Sequence, residues 1–297
     1  MALREPATGN QYAVNRAITL KRYAVIGNPI EHSRSPVIHE LFARQTGLAI
    51  SYEKIKAPLD GFALTVEEFF ARGGHGLNVT VPFKEEAYAL AQPRLTARAR
   101  VAAAVNTLWM EQGSLHGCNT DGVGLLTDLQ RLGHSPKNKN ILLVGAGGAA
   151  RGVIFPLLDA GCDHLRVVNR NPERAQTLHR HLIEQMPEVS PRLSCGGLDE
   201  ADGSWDIVIN ATSSSLGQTA PELPGGLYKP ASLAYDMVYG PEATPFMKQA
   251  AAQGAQTTAD GMGMLVGQAA ASFAIWHGVT PDVNAVLQAL RQQLHQH

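Results

Sequence analysis

The sequence predicts an α/β protein that combines a Rossmann-type nucleotide-binding domain with a second α/β domain. The first observation is a short apolar run at residues 141–144, typical of a buried parallel strand, which opens directly into Gly145-x-Gly147-x-x-Ala150. The second is an apolar helical face followed by another strand at 165–168, as a βαβ unit requires. The third is a separate series of strand and helix patterns between residues 23 and 132. A chain of 297 residues has room for both domains.

The composition is that of an ordinary globular protein and argues against several classes of partner. Hydrophobic residues make up 44% of the chain and the formal net charge is −1, so we expect neither nucleic acid nor a membrane as partner. The three cysteines are scattered and form no C-x-x-C pair, so we expect no metal site and a cytoplasmic location. No apolar run approaches the ~18 residues of a membrane span. Residues 1–20 are polar, lack an apolar signal core and are expected to be a disordered extension.

Ser33 and Ser35 stand between the first predicted strand and the first predicted helix. Ser35 followed by Pro36 is typical of a helix start, with the serine as N-cap. Two hydroxyl groups and Arg34 at a helix start would also make a pocket for a carboxylate. The residues alone leave both interpretations open. The predicted elements of this stretch are a strand at 23–27, a helix from Pro36, a strand at 50–56 and a helix at 62–72.

Asn78 and Thr80 lie on one face of a predicted strand at residues 77–81, because side chains alternate along a strand. That face ends near Lys84, which stands in the first turn of the next predicted helix. A lysine there can serve in proton transfer. It can equally be a solvated lysine that is balanced by the two glutamates after it.

Asp121 precedes an amphipathic helix predicted at residues 122–132. An aspartate is a suitable N-cap for such a helix. A carboxylate at a domain junction would also suit the hydroxyl groups of a substrate. Since this helix leads to the nucleotide-binding strand, we place the domain boundary near Asp121. The elements predicted before it are a helix at 98–104 and a hairpin with strands at 105–109 and 115–118.

Each small residue of the glycine-rich turn has a physical function in nucleotide binding. Gly145 makes the tight turn, Gly147 lets the backbone approach a pyrophosphate, and Ala150 allows the helix to pack closely on the strand. The amides at the helix N-terminus point at the same anion. A plain strand-to-helix turn also uses glycines, but the flanking elements favour the nucleotide site.

The end of the next strand indicates which dinucleotide binds. An NAD site usually carries Asp or Glu there, on the ribose 2′-hydroxyl. This chain has Asn169 followed by Arg170 and then Arg174, and guanidinium groups bind a 2′-phosphate by forked hydrogen bonds. Asn171 and Pro172 are expected to cap the helix that follows. We therefore predict NADP as the cofactor.

The remaining elements fit the nucleotide domain and a return to the first one. Thr212 follows a predicted strand at 205–210 and would line a nicotinamide crevice. Gln268 is a polar exception in an apolar helix that begins at Met262. The other predicted elements are a strand at 233–238, a helix from residue 244, a short strand before residue 260 and an amphipathic helix at 283–294.

Several unusual motifs occur in one order along the chain. They are Ser33-x-Ser35-Pro36, Asn78-Val79-Thr80-Val81-Pro82-Phe83-Lys84, Ala104-Val105-Asn106-Thr107, Asn119-Thr120-Asp121-Gly122-Val123-Gly124, Gly145-Ala146-Gly147-Gly148-Ala149, Asn210-Ala211-Thr212-Ser213, Tyr235-Asp236-Met237 and Asp260-Gly261-x-Gly263-Met264-Leu265. In these motifs and their order the sequence resembles the shikimate dehydrogenase family, from residue 23 to about the C-terminus.

The resemblance implies an activity and a domain arrangement. The activity is the NADP-linked, reversible interconversion of 3-dehydroshikimate and shikimate, on the route to aromatic amino acids. The arrangement is a discontinuous substrate domain (residues 21–121 and 261–297) and a Rossmann domain (residues 122–260), with the active site in the cleft between them. The partner is then a small-molecule substrate, no metal is required, and the enzyme is a monomer or a homodimer.

The resemblance also implies roles for individual residues. Lys84 and Asp121 would form the catalytic pair, and Ser33 and Ser35 would hold the substrate carboxylate. The positions that would contact the substrate hydroxyl groups are Asn78, Thr80, Asn106, Asp121 and Gln268. The positions that would bind the cofactor are Gly145, Ala146, Gly147, Gly148, Ala149, Asn169, Arg170, Arg174, Thr212, Met237 and Gly261.

Two departures and two alternatives accompany this interpretation. Asn171 stands where the family commonly has Thr, and Cys118 where an acidic residue is common. One alternative is a quinate/shikimate dehydrogenase that uses NAD, which an acidic residue at position 169 would favour. The other is a catalytically silent NADP-binding regulatory module, which should lack the Lys84–Asp121 pair.

Overall fold

The structure, a computed structural model, describes residues 20–294, which form two β-sheets covered by helices. Residues 1–19, and with them nearly all of the predicted disordered extension, lie outside the described residues, as do residues 295–297. The α/β class with a Rossmann-type sheet is confirmed. Within residues 20–294, none of the helices is both long and apolar enough to cross a bilayer.

The first sheet is built from the chain before residue 119. Its strands are β1 (Lys21–Gly27), β2 (Ile50–Lys56), β3 (Gly74–Val79), β4 (Thr107–Glu111) and β5 (Ser114–Cys118). In the order β2-β1-β3-β4-β5, the first three strands are parallel and the last two are antiparallel. The hairpin between β4 and β5 turns at Gln112 and Gly113, whose φ angles of 50° and 74° suit a tight two-residue turn.

The second sheet is parallel throughout. Its strands are β6 (Asn140–Val144), β7 (His164–Val168), β8 (Leu193–Gly196), β9 (Trp205–Asn210), β10 (Tyr228–Asp236) and β11 (Thr257–Asp260). The order β11-β10-β9-β6-β7-β8 places β6 near the centre. Because the strands are parallel, their carboxyl ends meet at one edge, where open α/β sheets bind ligands.

Helices cover both faces of each sheet. They are α1 (Ser35–Thr46), α2 (Phe62–Ala71), α3 (Lys84–Leu90), α4 (Ala97–Ala102), α5 (Asp121–Arg131), α6 (Gly148–Asp159), α7 (Pro172–Gln185), α8 (Pro245–Ala252), α9 (Met262–His277) and α10 (Val283–Leu294). Ile141 and Leu143 of β6 enter one apolar core, while Leu142 and Val144 enter another. This is the two-sided burial expected of a central parallel strand.

The last two helices pack against the first helix. Ile38 and Phe42 of α1 share a buried cluster with Phe273 of α9 and Leu287 of α10. α9 also crosses α5 very closely, since a Cβ on Gly124 would lie 2.6 Å from the backbone nitrogen of Gln268. The chain therefore returns from the second sheet to the helices beside the first.

Four strands differ from the prediction: β4 runs over Thr107–Glu111 instead of 105–109, and three others differ for local reasons. β3 ends at Val79 instead of residue 81, because Pro82 has no N–H for the ladder and the Phe83 amide closes a turn on the Thr80 carbonyl. β8 is a four-residue edge strand that the sequence did not signal. β10 begins at Tyr228 instead of residue 233, with a register shift in the segment that contains Pro230.

Candidate active site

Lys84 and Asp121 form a buried ion pair although they are distant in the sequence. Each is the first residue of its helix, α3 and α5 respectively. Lys84 Nζ donates to Asp121 Oδ2 at 2.5 Å, and the two side chains are 14% and 6% exposed. The expectation that Asp121 caps its helix is wrong. Thr120 occupies the N-cap position, and the Asp121 carboxylate makes tertiary contacts instead.

Asn106 holds this carboxylate from the other side. Its Nδ2 donates to Asp121 Oδ1 at 2.8 Å and to Gln268 Oε1 at 3.2 Å. Its Oδ1 accepts from the Thr120 amide at 2.9 Å. The Gln268 amide in turn donates to the Leu265 carbonyl of its own helix. The structure therefore brings Lys84, Asp121, Asn106 and Gln268 into one network.

Ser33 and Ser35 form a pair of hydroxyl groups at the start of α1. Ser33 Oγ donates to Ser35 Oγ at 3.2 Å and accepts from the Ser35 amide at 3.3 Å. The expectation that Ser35 is the N-cap is wrong, because Ser35 is the first helical residue and Arg34 precedes it without a capping bond from its side chain. The Ser35 side chain therefore has no capping function, and its hydroxyl is bonded to Ser33 instead.

Tyr52 links this pair to Asn78, a connection the sequence did not indicate. The Tyr52 hydroxyl donates to Asn78 Oδ1 at 2.7 Å, and Asn78 Nδ2 donates to Ser272 Oγ at 2.9 Å. Burial raises the pKa of Tyr52 well above its ordinary value, partly offset by a hydrogen bond with Ser35. Asn78 is buried and bonded within the protein, whereas Thr80, just beyond the strand end, is half-buried.

The glycine-rich turn has the geometry that a dinucleotide needs. Gly145 has φ +117°, and a Cβ there would lie 3.2 Å from the Ala211 backbone. A Cβ on Gly147 would meet no protein atom within 4 Å, so the backbone at the start of α6 is open to a ligand. Ala146 is buried, and Gly148 and Ala149 begin the first turn of α6. These residues fit a bound pyrophosphate.

Lys84 lies over this turn. A Cβ built on Gly148 would be 3.5 Å from both Cβ and Cδ of Lys84. The amine that pairs with Asp121 is therefore carried on a side chain that crosses from the first sheet's helices to the nucleotide-binding edge.

The predicted phosphate-reading residues cluster at the end of β7. Asn169 Nδ2 donates to the Asn171 carbonyl at 2.8 Å, and Asn171 Oδ1 accepts from the Glu173 amide at 2.9 Å, which confirms Asn171 as the N-cap of α7. Arg170 and Arg174 are exposed. A cavity of about 330 Å³ lies beside Arg174 and is lined by Glu85, Arg151, Asn171, Glu173, Arg174 and Thr177.

The opposite half of the same edge carries Thr212, Met237 and Gly261, which follow β9, β10 and β11. Thr212 is anchored by hydrogen bonds from its amide and hydroxyl to Asn210 Oδ1. A Cβ on Gly261 would lie 2.2 Å from the Met237 carbonyl oxygen, so only glycine fits there. The buried Asp236 carboxylate accepts from several neighbours in these loops, and burial raises its pKa.

Tyr239 is a further candidate that the sequence did not single out. It packs against the cluster of Ile38 and Phe42, and burial raises its pKa while the Arg34 guanidinium opposes that rise. A residue from the loop after β10 thus approaches the Ser33–Ser35 end of α1. The signal for it is only its place two residues beyond Met237 in the Tyr235-Asp236-Met237 motif.

Together these features define a two-lobed, dinucleotide-dependent oxidoreductase. The second sheet supplies the nucleotide-binding edge, and the starts of α3 and α5 supply the Lys84–Asp121 pair beside it.

Comparison with known proteins identifies the family. Three family models match the chain: the shikimate dehydrogenase substrate binding domain at residues 25–108, shikimate/quinate 5-dehydrogenase at residues 128–219, and the shikimate 5′-dehydrogenase C-terminal domain at residues 261–291. The shikimate dehydrogenase (NADP(+)) of Bordetella avium is 62% identical over 93% of this chain and 96% of its own. That of Bordetella petrii is 57% identical over 95% of this chain and 99% of its own.

A solved structure agrees. Shikimate 5-dehydrogenase from Thermus thermophilus, in complex with NADP(H) and shikimate, superposes with a TM-score of 0.81 at 34% identity, over 93% of this chain and 100% of its own. The chain belongs to the shikimate dehydrogenase family.

Proposed function

We propose that this protein catalyses the NADP-dependent, reversible oxidation of shikimate to 3-dehydroshikimate, and that reduction is the physiological direction. The observation that carries the proposal is the buried Lys84–Asp121 pair, whose lysine side chain lies over the glycine-rich turn in a chain of this family. A binding-only regulatory module has no use for such a pair.

Proton transfer is the chemical task of the protein, since NADPH, when bound, supplies the hydride to the carbonyl carbon. In the reducing direction the Lys84 ammonium group gives a proton to the carbonyl oxygen, and in the oxidising direction the Lys84 amine takes it back from the hydroxyl. Asp121 accepts a hydrogen bond from the same nitrogen and so fixes its direction. Asn106 prevents the carboxylate from rotating away.

The substrate is held at its two ends. Ser33 and Ser35 hold the carboxylate with their paired hydroxyl groups. Thr80, Asn106 and Gln268 contact the ring hydroxyl groups. Asn78, whose amide is also bonded to Tyr52 and Ser272, completes this set.

The carboxyl edge of the second sheet carries the residues that would hold the cofactor. Residues 145–149 hold the pyrophosphate, and Asn169, Arg170 and Arg174 hold the adenosine ribose with its 2′-phosphate. Thr212, Met237 and Gly261 would hold the nicotinamide. The substrate domain comprises residues 21–121 and residues from 261 onward, and the nucleotide domain residues 122–260. The two sheets and the return of α9 and α10 to α1 support this division.

The location and assembly follow from simpler arguments. Cys118, Cys162 and Cys195 are free thiols, which suits a reducing cytoplasm. The enzyme works as a monomer or a homodimer, because the network around Lys84 is complete within one chain. Light scattering on the protein as it elutes from a size-exclusion column measures its molar mass and so distinguishes the monomer from the homodimer.

The test is a two-by-two assay that follows absorbance in the NADPH band. Shikimate or quinate is combined with NADP⁺ or NAD⁺. The proposal expects a high kcat/KM only for shikimate with NADP⁺. Comparable turnover of quinate with NAD⁺ identifies a quinate/shikimate dehydrogenase of broader specificity. Tight NADP⁺ binding with no turnover of either substrate identifies the regulatory module.

A further inference from the structure

The cavity beside Arg174, called the phosphate cavity from here on, is also lined by a cation of helix α6. Arg151 lies in the first turn of α6, and its amide bonds to the Gly147 carbonyl. It lines the same cavity as Arg174. A cation in the first turn of a helix is opposed by the helix dipole, so its position calls for a compensating anion.

Among residues 20–294, one carboxylate, that of Glu85, lies within 4.0 Å of the Arg151 guanidinium. The closest carboxylate is Glu85 Oε1, 3.7 Å from Arg151 Nε, which is beyond hydrogen-bond distance. Glu85 is 56% exposed and Arg151 is 17% exposed, so the pair contributes little. Among the described residues, the buried Nε has no hydrogen-bond partner. Residues 20–294 therefore leave the Nε of this guanidinium group buried and unsatisfied.

The charges around the cavity are balanced only while it is empty of an anion. Arg151 and Arg174 face it together with Glu85 and Glu173, two cations and two carboxylates, and no lysine or histidine lines it among the described residues. Both glutamates are exposed and can turn toward solvent. A phosphate group offers three strong acceptor oxygens and nearly two negative charges, more than either glutamate can offer.

We propose that Arg151 is a specificity-determining residue that reads the 2′-phosphate of NADP opposite Arg174. Before the phosphate arrives, the nearest described carboxylate to this guanidinium is that of Glu85 on α3, which is too distant for a hydrogen bond. This inference rests on the proposed NADP dependence. It adds a residue of α6 that binds the 2′-phosphate, whereas the sequence indicated only residues that follow β7.

The experiment measures binding of two probes by isothermal titration calorimetry to the full chain, without substrate. Adenosine 2′,5′-bisphosphate carries the 2′-phosphate, and adenosine 5′-monophosphate lacks it. Arg151→Gln should weaken binding of the bisphosphate about tenfold, a typical loss for a charge-assisted hydrogen bond. The same variant should change the Kd for the monophosphate by less than about twofold. Arg151→Lys, which keeps the charge without the fork, should lie between.

Glu85→Gln is the matched control, because it breaks the same ion pair from the other side. If Arg151 reads the phosphate, this variant binds the bisphosphate as tightly as the parent or more tightly, since a competing carboxylate is gone. If the pair only bridges the lobes, Glu85→Gln loses as much as Arg151→Gln, and the proposal fails. Equal losses of both probes in Arg151→Gln, or no loss of the bisphosphate, also overturn it.

Melting temperatures check that each variant is folded, and Arg151→Lys keeps the test decisive if Arg151→Gln is unstable. The outcome is separable from the proposed function. If the parent enzyme oxidises shikimate with NADP⁺ but Arg151→Gln still prefers the bisphosphate to the monophosphate as strongly as the parent does, only the role of Arg151 is refuted. A parent that discriminates the probes through Arg151 but turns over no substrate refutes only the proposed function.

Discussion

Replacing the two members of the Lys84–Asp121 pair tests whether they act as one catalytic unit. Lys84→Ala removes the group that moves the proton. Asp121→Asn keeps the size of the side chain but not its two acceptors. The carboxylate accepts from Lys84 on one oxygen and from Asn106 on the other. An amide has one acceptor oxygen, so it must lose one of these bonds and point a donor at the other donor.

The expected magnitude follows from that shared geometry. Each single variant should lower kcat by ~10²–10⁴-fold, the range for a positioned general acid–base group. This corresponds to about 2.7–5.5 kcal/mol of barrier. If the two residues were independent and each cost about 10³-fold, the double variant would lose about 10⁶-fold. Because Asp121 acts through the Lys84 nitrogen, we expect the double variant to be little worse than the poorer single one.

The assay is initial-rate kinetics at saturating shikimate and NADP⁺ across a pH series, with NADP⁺ binding measured separately. Binding should be nearly unchanged in all three variants, which separates catalysis from cofactor affinity. The Tm of Lys84→Ala should fall, since Asp121 is 6% exposed and loses its counter-charge. A Lys84→Ala enzyme with near-normal kcat and the parent's pH profile would falsify the mechanism. If the loss of kcat in the double variant equals the product of the two single losses, Lys84 and Asp121 act independently.

Three further predictions address the cofactor, the substrate and acid stability. Arg170→Ala should raise the KM for NADP⁺ at least about tenfold and leave that for NAD⁺ nearly unchanged; equal losses in steady-state kinetics would exclude a phosphate contact. Ser33→Ala should raise the Kd for shikimate in calorimetric titrations but hardly change NADP⁺ binding or the Tm, and a fall in Tm with normal affinity would indicate a structural role. Burial lowers the pKa of His39 to about 3 from 6.5, so the folded state binds fewer protons than the unfolded state between these values. Its contribution to stability is therefore complete above about pH 6.5 and is lost as the pH falls toward 3, by about 2–3 kcal/mol at pH 4.5. In urea unfolding at pH 7 and 4.5, His39→Gln should show a smaller pH dependence than the parent, and an identical dependence would mean that His39 is not the group responsible.

The nucleotide half could be predicted closely because its signals are local. The apolar run at β6, the glycines after it and the Asn171–Pro172 cap each act within a few residues. Asn171 caps α7 as expected because the acceptor and the amide it satisfies are two positions apart. β8 was missed because four residues at a sheet edge carry too little pattern.

The candidate site was predictable as a set of residues but not as a set of contacts. Ser35 and Asp121 are residue types that often cap helices, but neither is an N-cap here. Ser35 is already the first residue of its helix. The Asp121 carboxylate is bonded to Lys84 and Asn106, which are 37 and 15 residues away in the sequence. Contacts between residues that are far apart in the chain leave no periodic trace in a sequence. Tyr52 and Arg151 escaped notice for that reason.

The cluster that joins α1 to α9 and α10 has a consequence for synthesis of the chain. Ile38 and Phe42 leave the ribosome more than 200 residues before Phe273 and Leu287, their partners in that cluster. At elongation rates of about 5–20 residues per second this delay is on the order of ten seconds or more. The second sheet, contiguous in sequence, can meanwhile fold on its own, while the earlier half keeps an apolar helix face uncovered. A nascent chain stopped before residue 262 would therefore expose the apolar face of α1, which favours aggregation and chaperone binding. Release from chaperones should coincide with the emergence of α9 and α10 from the ribosome.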